Sequence, residues 1–132
     1  MITSKFKSIK YNLIGLVAVS VTLSGCRFVE DDLRMFARCG IAAHQLDKRD
    51  ASFKISKKLK EYIKENNVEG SAGYTMSLVE DIKNEELKLY EKSTEGQIYT
   101  LVKVYNSSEC QDIHEQDEIS MPWKYFFLYM FI

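Results

Sequence analysis

Apolar and polar positions change rhythm twice along this chain, near residue 26 and again near residue 120. Residues 11–23 (YNLIGLVAVSVTL) are almost wholly apolar or small and carry no charge. Beyond them the apolar positions recur at helical spacing. Leu33, Phe36, Ala37, Gly40 and Ile41 share a face and predict a helix over about 30–46, with Cys39 beside Met35, Ala42 and Ala43 on an adjoining strip. Acids at 30–32 suit the positive end of that helix's dipole. Ala51, Ile55, Leu59, Tyr62 and Ile63 predict a second helix over about 51–66, with Asp50 as N-cap and Asn66, Asn67 and Gly70 ending it. Leu78, Val79, Ile82 and Leu89 predict a third over about 74–92, capped at or near Ser71.

Residues 97–105 (QIYTLVKVY) are ambiguous. Ile98, Leu101, Val102 and Tyr105 fit one helical face, yet Ile98, Thr100, Val102 and Val104 are β-branched and alternate. A strand there would need a partner from the C-terminal segment, so a fourth helix is the preferred reading, with Cys110 near its end. One proline, Pro122, and few glycines leave little turn material. The expected fold class is mainly α: a small antiparallel bundle of three to four helices over residues 26–110. Residues 111–132 form an acidic and then aromatic tail, and six of the chain's 16 aromatic residues fall in the last ten positions. Its final ten residues would reach only about 15 Å as a helix, too short to cross a bilayer. Three readings of this tail stay open: packing on the bundle or pairing with 97–105 as a strand, contact with a membrane surface or partner groove, or a coding artefact such as a frameshift.

The N-terminal change of rhythm has its own chemistry. Lys5, Lys7 and Lys10 precede the apolar run, and all 19 acidic residues lie at or after Glu30. A basic start, a short apolar stretch and small residues before a cut are the marks of a secretory signal peptide. About 15 suitable residues fall short of the roughly 20 that a permanent span needs. The run closes on Leu23-Ser24-Gly25-Cys26, which resembles the lipobox of bacterial lipoprotein precursors; the resemblance covers residues 1–26 only. It implies cleavage of a leader 1–25 between Gly25 and Cys26, and a diacylglyceryl thioether on Cys26 with a further acyl chain such as palmitate on its new amino group. Each buried methylene contributes about 0.8 kcal/mol and one chain alone binds marginally, so two or three chains would anchor the protein essentially permanently. Arg27 stands where an Asp often marks inner-membrane retention in Gram-negative lipoproteins. The resemblance therefore implies the outer membrane, facing the periplasm.

Lipidation of Cys26 leaves two cysteines, Cys39 and Cys110, and outside the cytosol such a pair is expected as a disulfide. Neither belongs to a CxxC pair, which argues against a structural zinc site or a thioredoxin-like redox motif. Without the leader's three lysines, 15 Lys and Arg face 19 Asp and Glu, a formal charge of −4. Residues 48–64 hold seven basic and two acidic side chains, whereas 109–118 hold five acids and no Lys or Arg. That asymmetry can steer a partner or pair the two segments internally.

Motifs for catalysis are missing: no GxSxG, GxxxxGKS/T or GxGxxG occurs. His44 reads as a helix-end side chain. His114, with Asp112, Glu115 and Asp117 nearby, matches no helical metal-ligand spacing and reads as a solvated loop residue. Glu80, Asp81, Glu85 and Glu86 cluster on the third predicted helix, a pattern that ordinarily faces solvent. No catalytic residue, metal or cofactor is therefore assigned, and nucleic acid is not expected as a partner. The candidate contact surface is the basic side of the second helix, Lys54, Lys57, Lys58, Lys60 and Lys64, which suits anionic lipid or an acidic protein. The expected role is a lipid-anchored, non-enzymatic interaction or structural accessory of the bacterial envelope. The alternatives are an inhibitor or immunity-type binder of a toxin or hydrolase, and a cell-wall-acting enzyme.

Overall fold

The computed structural model describes residues 29–70, 72–121 and 125, and every regular element among them is helical. Helix α1 covers residues 29–45, α2 Arg49–Glu65, α3 Ala72–Asp81, α4 Thr94–Tyr105 and α5 Ser108–His114. The mainly α class read from the periodicity is what the fold adopts, with five α-helices among the described residues where three to four were expected. The chain divides into units Met1–Asp32 and Leu33–Ile132, and the packing that follows is that of the second. The leader 1–25, Cys26, the Ser71 cap and residues 123–132 other than Tyr125 lie outside the described residues. Tyr125 is helical and half-buried.

α1 and α2 stop in the same way. The N–H of Lys48 donates to the Ala43 carbonyl at 2.8 Å and that of Asp47 to His44 at 3.2 Å, with Asp47 left-handed (φ 53°). Val68 donates to Ile63 at 3.0 Å and Asn67 to Lys64 at 3.5 Å, with Asn67 left-handed (φ 48°). Both are Schellman closures built on short polar residues in place of glycine. The first uses the chain up to Lys48, so α2 starts at Arg49 and its N-cap is Lys48, which makes no side-chain cap bond. Asp50 is therefore not the N-cap; it sits in the first turn, where its charge still favours the dipole.

The third predicted helix is broken. α3 passes into a π-helical turn over Ile82–Glu86, then a 3-10 turn over Leu89–Glu91, with Lys88 left-handed between them (φ 48°). A regular helix would put positions 82 and 87 about 140° apart, so they could not share one core. The wider turn, closed by the Leu87 N–H donating to the Ile82 carbonyl at 2.9 Å, lets Ile82, Leu87 and Leu89 all be buried. Lys92 Nζ then donates to the freed Leu87 carbonyl at 2.7 Å.

Residues 97–105 are helical, within α4, which excludes their pairing with the tail as a strand. The Ser93 hydroxyl accepts the Gly96 N–H at 3.2 Å as N-cap, and Leu101, Val102 and Tyr105 are buried on one face. Burial of that face outweighs the modest helix cost of the β-branched residues. The helix ends at Asn106, and Cys110 lies on a separate helix, α5, N-capped by Ser107. Cys39 and Cys110 are joined, with Cα atoms 5.4 Å apart, so the disulfide ties α1 to α5. Residues 111–114 continue that helix, with Ile113 and His114 buried.

Candidate functional site

The fold divides the lysines of α2 into two sets. Ala51 and Ile55 face the core, Tyr62 packs against Phe36 of α1 with ring centroids 5.5 Å apart and planes tilted by 49°, and Leu59 is half-buried. Ile63, expected in the buried stripe, is 36 % exposed and lines an apolar cleft beside Leu59 and Tyr74. Lys54 and Lys58 flank the core and turn toward α5. Lys58 Nζ donates to Glu115 at 2.7 Å and to the Asp112 carbonyl at 3.0 Å, and Lys54 Nζ donates to Glu115 at 3.3 Å. At the Asp112 carbonyl, the Lys58 cation occupies the negative end of the α5 dipole. Lys57, Lys60 and Lys64 are exposed and form no ion pair among the described residues.

Glu115 is the residue that divides the lysines. It closes α5 in the left-handed region (φ 54°), and its N–H donates to the Gln111 carbonyl at 2.8 Å. The hydrogen bond from Lys58, then that from Lys54, hold its carboxyl below the usual carboxylate range. The charge asymmetry between 48–64 and 109–118 is thus expressed inside the fold, through Glu115.

His114 is not a solvated loop residue; it is fully buried. Its ring stacks on Tyr105 at 4.2 Å, its Nδ1 accepts the Gln116 N–H at 3.0 Å, and Nε2 lies 3.0 Å from the Tyr105 carbonyl. With Nδ1 accepting, the proton belongs on Nε2, where it is donated to that carbonyl. The turn at Glu115 reverses the chain over the ring, and no spacing rule in the sequence signals this. Burial, then the charge of Asp117, push the Tyr105 phenol above its ordinary value. Asn106 fixes the returning segment: its Nδ2 donates to the Ile119 carbonyl and its Oδ1 accepts the Ile119 N–H, both at 2.9 Å.

The remaining chemistry-bearing groups are tied into the scaffold or exposed. Glu86 binds Arg34 at 2.8 Å and Arg38 at 3.5 Å, while Glu80, Asp81 and Glu85 face solvent. His44 is exposed at the end of α1. A cleft of about 480 Å³ lies over the disulfide between Arg38, Lys92, Tyr99 and Lys103, and a smaller apolar one of about 130 Å³ runs between Leu33, Leu59, Ile63 and Tyr74. Among the described residues no three His, Cys, Asp or Glu side chains converge on a metal position, and no helix is long and apolar enough to cross a membrane. No protein-family model matches this chain, and neither a curated protein nor a solved structure does.

Proposed function

We propose that this protein is a lipid-anchored lipoprotein of the bacterial envelope, placed at the outer membrane facing the periplasm, and that its domain acts as a non-enzymatic interaction or structural accessory. The observation that carries this reading is Leu23-Ser24-Gly25-Cys26, set directly behind a basic and then apolar leader. The domain supports it in two ways. A disulfide between α1 and α5 suits an oxidising compartment. His114, Glu115 and Glu86 are each held in contacts that stabilise helix packing, which leaves the outward lysines of α2 as the face turned to a partner.

Fatty-acid labelling in a bacterial host tests the anchor. The wild-type chain incorporates label, and Cys26→Ala loses it and accumulates as uncleaved precursor; equal labelling of both would overturn the assignment. Crosslinking in intact cells tests the accessory role. It should recover defined envelope components, whereas a turnover activity abolished by His44→Ala or Glu80→Ala would favour an enzyme.

A further inference from the structure

Positions 53, 57, 60 and 64 of α2 fall within an arc of about 60° in helical projection, centred opposite Ala51 and Ile55. Phe53 on this arc is 72 % exposed, and Lys57, Lys60 and Lys64 are exposed beside it without an ion pair among the described residues. Glu61 and Glu65 project outside the arc, on the flank toward Lys54 and Lys58. All four side chains are exposed on the outward side of α2, and together they form a ridge along the helix. A ridge of three exposed cations and one aromatic ring complements a broad anionic surface. Lipid head groups part around a projecting ring and offer phosphates at its level, whereas a protein partner would need a socket cut for it.

We infer that α2 docks this ridge, Phe53, Lys57, Lys60 and Lys64, on an anionic phospholipid surface, with Lys54 and Lys58 withheld by Glu115. The inference rests on the envelope-anchored reading and adds to it a lipid class and a set of contact residues. Each ridge lysine contributes about a fivefold increase in partition onto such a surface. Three are enough only because an anchored domain stays at high local concentration beside the bilayer.

The test uses the protein as processed by its host, with Trp123→Phe and Phe53→Trp so that residue 53 reports alone, reconstituted into vesicles of phosphatidylcholine with or without phosphatidylglycerol. In anionic vesicles the Trp emission shifts to the blue and brominated lipid quenches it; in pure phosphatidylcholine neither happens. The shift reverses near 1 M salt, where screening acts within about 3 Å. The triple change Lys57→Glu, Lys60→Glu and Lys64→Glu abolishes the shift, while Lys54→Ala with Lys58→Ala preserves it, far-UV circular dichroism showing each variant folded. A water-like emission in both vesicle types overturns the inference. So does a photocrosslinker at residue 57 that captures an acidic protein and no lipid in intact cells. Fatty acid on Cys26 and emission at residue 53 are separate readouts, so the anchor and the ridge can fail independently.

Discussion

Breaking the Cys39–Cys110 bond should remove a large share of this domain's stability. The bond spans 71 positions and joins α1 to α5, and both cysteines are almost fully buried. Releasing a loop of that length returns about 15 cal/mol/K to the unfolded chain, or about 4 kcal/mol at 25 °C. Against the roughly 5–15 kcal/mol of a typical domain, that is the difference between a firm fold and a marginal one. Cys39→Ala, Cys110→Ala and the double variant should each cost about the same 4 kcal/mol and lower Tm by about 15–30 °C. Either single change already removes the bond, so the two effects should not add. Urea unfolding followed by far-UV circular dichroism measures this, and dithiothreitol should bring the wild type to the same midpoint. Single variants that each cost under about 1 kcal/mol, or a double variant that costs their sum, would contradict this.

Three further outcomes follow from the contacts around α5. His114→Ala should lower stability by about 3 kcal/mol, since it removes a stacked buried ring and strands the Gln116 N–H and the Tyr105 carbonyl; thermal unfolding checks it, and a loss under 1 kcal/mol would contradict the burial. Asn106→Ala should cost about 2 kcal/mol through its two bonds to Ile119 and make the segment after Glu115 more open to limited proteolysis. The Lys-held Glu115 contributes stability that is complete above about pH 4.5, its ordinary value, and is lost as pH falls through its lower folded-state value. A Glu115→Gln variant should therefore lose less stability than the wild type between pH 5 and pH 3, and parallel melting curves over that range would refute the pairing.

How far the sequence foretold these features depended on whether the signal was local. α1 and α2 were legible because apolar spacing and an Asn66-Asn67 stop sit within a few residues of each other. The break after α3 was not, because it comes from Ile82, Leu87 and Leu89 competing for one core, a tertiary demand that no window of sequence displays. The same holds for α5. Ser107 is an ordinary N-cap residue, but a helix of seven residues gives too little periodicity to be recognised. For the candidate site, the five lysines were visible as a run, and their pairing with the acidic segment was legible as a charge imbalance. Which lysines stay outward was not, since that depends on the left-handed turn placing Glu115 against α2. The exposure of Phe53 is likewise a property of the packed domain, with no local signal in the sequence.

The most direct test is the N-terminus of the protein purified from its native host. Mass spectrometry of the N-terminal peptide should find a chain beginning at Cys26 with a diacylglyceryl group on its sulfur and an acyl chain on its amine. A chain that keeps Met1, or starts at Cys26 with a bare thiol, would contradict it.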